Sequence, residues 1–329
     1  MHASFDRAGS EGWLTPWRAA AEAPGVLHAL VGAAEAQARL ETRLAHDPAC
    51  RGAEARLALA ETAEVMWLAG DAGARDRLAL YAHGRQGAID ARDLRAGWAL
   101  RRLQRAGDPA AMEVDQLRAF LGLRRGRQGA AQDWVTDQAG LFARPAGGEL
   151  DEALALWRAM AGQLTAQHRL VRAAILHRAW RWLGLSGPDD PVTPLIVALR
   201  IGGAGRRAPG FAPLASAARR RHVFAVTGPE TARLAATLSG FAEAAAEALL
   251  MLERLALWHA RAADMPRTRA MRAVIAAAAA APVVSTGAIA QASGLTGQAV
   301  NRAARHLHAH GLIREATGQA RYRLWAAAV

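Results

Sequence analysis

The sequence predicts an all-α protein, with a multi-helix N-terminal domain and a smaller module after it. Three observations carry that reading. Alanine, leucine, arginine and glutamate dominate the 329 residues, and all four are good helix formers. Apolar residues recur at helical spacing between breaks of proline and glycine. Strictly alternating runs of Val, Ile, Thr and aromatics are missing until the last fifteen residues. With 52% apolar and 21% charged residues, the chain can bury a sizeable core. Its length suggests two domains or three.

The elements follow in order. Val26 to Ala45 is periodic and ends at His46-Asp47-Pro48. Ala53 to Leu68 is a second helix, closed by Gly70. Arg75 to Tyr81 is a shorter one before the His83-Gly84 turn. Asp90 reads as the N-cap of a helix from Leu94 to Gln104, stopped by Gly107-Asp108-Pro109. Helices follow near Glu113 to Leu121, Leu150 to Leu164 and Gln167 to Leu183. Arg124 to Gly129 and Ala143 to Gly148 read as loops. Between Gly184 and Pro213, prolines and glycines leave room for one short helix, Leu195 to Ile201, started by Pro194. A long helix runs from Pro229 to about Ala262. Met265-Pro266 breaks it and sets a domain boundary, giving 1–264 and 265–329, with a sub-boundary near 122–150. No repeat of solenoid length is visible.

All 41 basic residues other than histidine are arginine, against 29 acids. The formal charge is +12 and the pI is near 11.4. The excess lies toward the C-terminus, where Glu315 is the only acid after Asp264. A second basic cluster comprises Arg206, Arg207, Arg219, Arg220 and Arg221. Such a balance favours polyanionic partners.

The last sixty residues are the most informative. Thr268 to Ala281 is an apolar helix stopped by Pro282. Ser285 caps a short helix, Thr286 to Ala292. Ser293-Gly294-Leu295 makes a tight turn, and Thr296 caps a longer helix from Gly297 to His310. Gly311 ends it, Leu312-Ile313 continue as a strand, and Thr317-Gly318 forms a hairpin tip. Tyr322, Leu324 and Trp325 lie in the return strand. This order is that of a winged helix-turn-helix with a small β-hairpin wing. Ala290 is small where two helices cross, and Gly294 supplies the left-handed turn residue. Ile289, Leu295, Val300, Ala303 and Leu307 make the buried stripe. Gln298, Asn301, Arg302 and Arg305 remain outside, where Gln and Asn suit adenine and Arg suits guanine or phosphate. Ser285, Thr286 and Thr296 stand at helix N-termini, which favour phosphate. Arg321 and Arg323 fall on the wing.

The segment STGAIAQASGLTGQAVNRAARHLHAHGLIREATGQARYRLW resembles the C-terminal winged helix appended to many Fic-family proteins. FAEAAAEALLMLERL is similar to the helix that precedes that module. The Fic nucleotide-transfer motif, His-Pro-Phe-x-Asp/Glu-Gly-Asn-Gly-Arg, is absent from the chain, and His177 before RAWRWLGL is its nearest counterpart. As a whole the chain resembles a bacterial family that joins a helical domain of unknown function to a C-terminal DNA-binding module. The resemblance covers about sixty residues clearly.

Other patterns point elsewhere with less force. His306, His308 and His310 alternate around a helix and do not converge on a metal. Asp189-Asp190 reads as an acidic turn. Gly202 to Arg207 lacks the Lys-Ser/Thr end of a phosphate loop. Trp157, Trp180 and Trp182 read as core. Cys50 beside Arg51 suggests a thiol of lowered pKa. A lone cysteine rules out a disulfide framework. The longest apolar run, Val274 to Val284, is about half what a bilayer needs.

Together these features lead to the expectation of a cytoplasmic transcriptional regulator that binds double-stranded DNA. It is expected to act as a homodimer, with no membrane, cofactor or metal. A small-molecule or protein effector would act at the N-terminal domain. A divergent Fic-like transferase or pseudo-enzyme is one alternative, and a toxin–antitoxin-like interaction module is another.

Overall fold

A computed structural model of the chain describes residues 7–47, 50, 52–73, 77–78, 90–105, 107–123, 147–187, 189–205, 210–218, 223–224, 227–265, 268–316 and 323–329. These residues are mostly helical. The elements in chain order are α1 (Arg7–Ala21), α2 (Pro24–His46), α3 (Ala53–Leu68), α4 (Ala91–Arg105), a 3-10 turn (Pro109–Ala111), α5 (Val114–Leu121), α6 (Gly147–Gln163), α7 (Arg169–Trp182), α8 (Val192–Gly202) and the short α9 (Ala215–Ala218). Then come α10 (Glu230–Ala263), α11 (Arg269–Ala280), β1 (Val284–Ser285), α12 (Thr286–Ser293), α13 (Gly297–Ala309), β2 (Ile313–Glu315) and β3 (Leu324–Ala327).

Sequence capping signals set several of these boundaries. Asp90 accepts the Asp93 amide at 2.8 Å and opens α4. Glu113 and Gln116 form a reciprocal capping box at α5. Asp190 accepts the Val192 amide at 2.8 Å, the Thr193 hydroxyl at 2.6 Å and a guanidinium nitrogen of Arg95. The expected acidic turn at 189–190 is therefore the start of α8. Helix α1, the short α9 and strand β1 escaped the sequence reading. Helix α1 runs through Pro16, at the expense of a backbone hydrogen bond. Burial of Leu14 and Trp17, and stacking of Trp13 on Trp182 at 5.2 Å, offset that loss.

The centre of the molecule is the pairing of α2 with α10. Buried Val26, Ala33, Gln37 and Leu40 of α2 follow heptad spacing. They meet a matching stripe on α10 that includes Leu238, Phe241, Ala245, Ala248, Leu252 and Leu255. Small residues on both helices let the axes approach. Gln37 lies inside this seam and donates to the Phe241 carbonyl at 3.0 Å, a buried polar contact that favours one register. Among the described residues, α10 alone is long and apolar enough to cross a bilayer. Run length passed over it because Glu243, Glu247 and Glu253 interrupt its sequence. Its inner stripe is packed in the core.

Trp157 and Trp180 lie edge to face at 5.1 Å between α6 and α7, both fully buried. The buried apolar cluster continues from Leu14 through α10 to Ala327 near the C-terminus. The helix expected at 75–81 lies mostly outside the described residues, as does the loop expected at 124–129. Arg206, Arg207 and Arg219 to Arg221 also lie outside them. Gly147 and Gly148, expected in a loop, belong to α6.

Candidate functional site

The candidate site is built from α11, α12, α13 and a small sheet. Three hydroxyl residues set the three helix starts. Thr268 accepts the Met271 amide at 3.2 Å, Ser285 the Ala288 amide at 3.1 Å and Thr296 the Ala299 amide at 3.2 Å. Each satisfies an otherwise orphaned N–H. Helix α12 ends at Gly294, whose φ of 66° is left-handed. Its amide and that of Leu295 both return to the Ala290 carbonyl. The chain then turns directly into α13.

Val300, Ala303, Ala304 and Leu307 are the buried face of α13 and pack on α11. Gly311, with φ 65°, closes the helix. The Leu312 amide bonds to the Leu307 carbonyl at 2.9 Å. The Leu312 carbonyl accepts the Trp258 indole N–H of α10 at 2.6 Å. From there the chain enters an antiparallel sheet of order β1-β3-β2, with Val284 opposite Trp325 and Ile313 opposite Ala327.

The residues expected to touch DNA divide into three groups. Gln298, Arg302 and Arg305 are exposed along one side of α13, and Thr296 is exposed at its start. Asn301 is half-buried beside them. Ser285 and Thr286 serve the fold. Ser285 is buried under its own cap, and Thr286 Oγ1 accepts the Trp325 indole N–H at 3.1 Å. On the β-hairpin, Arg323 Nε lies 3.5 Å from Glu315, the one acid of the segment. Arg321, Tyr322 and the Thr317-Gly318 tip lie outside the described residues.

Three arginines not singled out from the sequence are also exposed. Arg269 and Arg272 sit in the first turn of α11, and Arg314 lies on β2. Arg269 donates to the Ser293 carbonyl at 3.1 Å, beside the turn into α13. A cation in a helix's first turn opposes the helix dipole. That mismatch was the available signal, and the strong apolar pattern of α11 masked it. Among the described residues Arg302 and Arg305 form no ion pair.

Two further groups singled out from the sequence are buried. The Cys50 thiol is buried, and burial followed by the Asp47 charge pushes its pKa up. This corrects the lowered value that neighbouring Arg51 suggested. His177 is 4% exposed, with its ring 4.7 Å from Phe224. Burial first, then Arg178 and Arg181, holds its pKa well below the ordinary imidazole value. His306 and His310 stand one turn apart with ring centroids at 4.3 Å, whereas His308 Nδ1 lies 3.0 Å from the Ile313 carbonyl. Among the described residues no three His, Cys, Asp or Glu side chains converge as metal ligands. No protein-family model matches the sequence, and no curated protein is found to match it.

Proposed function

We propose that residues 265–329 form a winged helix-turn-helix that binds double-stranded DNA, and that the protein is a transcriptional regulator. The observation that carries the reading is the outer side of α13. It presents Gln298, Arg302 and Arg305 to solvent in a segment of eight arginines and one acid. Its inner side is fixed by Val300 and Leu307. The order helix, strand, helix, turn, helix, two strands, with β3 between β1 and β2, supports the winged reading.

Docking of such a helix puts its N-terminal residues near base edges in the major groove. Gln298 and Asn301 then face bases through their amides, and Arg302 reaches a base edge or a phosphate. Arg305 and Thr296 meet the backbone. Arg269 and Arg272 add charge from α11, and the hairpin arginines from the wing. These contacts release counterions, so affinity falls steeply with salt.

The test is duplex binding by the full chain over a salt series. Arg302→Ala with Arg305→Ala is expected to weaken binding at least tenfold at moderate salt. It should also flatten the log–log salt slope by about 0.9 for each phosphate contact removed. Unchanged affinity and slope would overturn the assignment of α13. Failure of the wild type to shift any duplex at low salt, with capture of an acidic protein instead, would favour an interaction module.

A further inference from the structure

A cleft of about 480 Å³ lies between the helical part and the C-terminal module. Helices α3 and α10 form two of its walls. Strands β2 and β3, with the Pro282-Val283 approach to β1, form the third. This volume is that of a small-molecule site, and such sites favour domain interfaces. Two charged groups of the lining are committed to the fold. Arg56 donates to the carbonyls of Ala278, Ala279 and Ala281. Buried Glu61 accepts the Leu214 and Ala215 amides at 2.9 and 2.8 Å. The other charged side chains of the lining, among the described residues, are Glu64, Glu247, Arg254 and Arg314. Exposure orders these four. Glu64 and Glu247 are half-buried, and one carboxylate oxygen of each is shielded from water. Arg254 and Arg314 are exposed. Acid therefore lies within the cleft and base at its mouth, with Leu57, Met251 and Val283 as apolar lining.

We propose that this cleft binds a small zwitterion whose ammonium and anionic ends are held apart by an apolar chain. The spacing follows from α10. Glu247, Met251 and Arg254 succeed one another at four and three residues, on one face of the helix. At the helical rise per residue, Glu247 and Arg254 stand about 10 Å apart along the axis. The ammonium lies between Glu64 and Glu247, the apolar chain runs over Met251, and the anionic end meets Arg254 and Arg314. A molecule with a cation alone leaves the arginines facing an apolar end. One with an anion alone sets its apolar end against the half-buried carboxylates. Either mismatch desolvates charge without a partner and costs affinity.

Binding here has a structural consequence. Arg254 belongs to α10 and Arg314 to β2, so the anionic end bridges the helical part and the C-terminal module. A bound molecule thereby holds the module in one orientation. The proposal does not depend on the DNA reading, because the cleft is formed whatever α13 binds.

Isothermal calorimetry of the full chain, without DNA, tests it with three probes of one chain length: 8-aminooctanoate, octylamine and octanoate. The zwitterion should bind at least tenfold more tightly than either singly charged probe. Glu247→Gln and Arg254→Gln should each weaken its binding at least tenfold, with far-ultraviolet dichroism showing that the helices persist. Hydrogen exchange with the zwitterion bound should slow at residues 312–316 as well as in α3 and α10. No heat from 8-aminooctanoate up to millimolar concentration would overturn the proposal. So would octylamine or octanoate binding as tightly, or variants that bind like the wild type. Protection confined to the two helices would overturn the bridging of the module.

Discussion

His177 faces Phe224 from the middle of α7, inside a helix with ten consecutive or near-consecutive buried positions. Its neutral form is the one that fits. The unfolded chain takes up a proton near pH 6.5, whereas the folded site does so only well below that value. Acidification therefore favours the unfolded state. The stability tied to neutral His177 is present above pH 6.5 and is lost as pH falls toward the folded value. One proton gives a limiting slope of about 1.4 kcal/mol per pH unit. His168, half-buried at the start of the same helix, shifts in the same direction and adds to the trend. Urea unfolding at pH 7.5 and 5.5 should show wild type losing more stability on acidification than His177→Phe, which keeps a ring in place but binds no proton. Equal losses in the two proteins would remove His177 as the source.

At the level of elements, the α12–α13 turn separates backbone conformation from packing. Gly294 has a left-handed φ and open space where a Cβ would stand. The cost of Gly294→Ala is therefore conformational alone, about 1–2 kcal/mol, whereas Gly294→Asn should be cheaper because Asn visits that region. Thermal melts of the two variants check the order, and Asn melting below Ala would contradict it. This turn was legible in the sequence because its signals are local. Ser285 and Thr296 cap where their positions suggested, Thr268 caps a helix in which it was read as the first residue, and the apolar stripe of α13 lies inward. Helices α2, α3 and α10 were also legible, since their periods are long and their ends carry proline, aspartate or glycine. Helix α1 was not, because Pro16 reads as a break and only the tertiary contacts of Trp13 and Trp17 reverse that reading. The roles of Ser285 and Thr286 were half legible. A hydroxyl at a helix start signals a cap, but whether it is covered depends on Trp325, nearly forty residues away. Burial of His177 was hidden for the same reason, since Phe224 comes from a distant segment.

Across the whole molecule, side-chain hydrogen bonds among the described residues tie the C-terminal segment to α10 and to α3. Trp258 and Arg261 of α10 bind the carbonyls at 311 and 312. Arg56 of α3 reaches the other end. Its guanidinium donates to the carbonyls of Ala279 and Ala281, each at 2.8 Å, and to that of Ala278. These are the orphan acceptors at the C-terminus of α11. Burial lowers the Arg56 pKa to about 10, so it stays charged at neutral pH. Gly52, at the start of α3, completes the fit. It has φ 75°, and a Cβ there would overlap the Ala279 carbonyl. Arg56→Met keeps the apolar stem but removes all five N–H groups. Each buried acceptor left without a donor costs about 1–3 kcal/mol, partly offset because no charge is then buried. The loss is directed at one junction, so it should appear there first. Hydrogen exchange in Arg56→Met should rise at least tenfold for amides of α11 and β1, while those of α7 and α8 keep their protection. A uniform rise throughout the chain would mean that Arg56 supports the core as a whole. No rise at α11 would mean that Trp258 and Arg261 alone hold the segment.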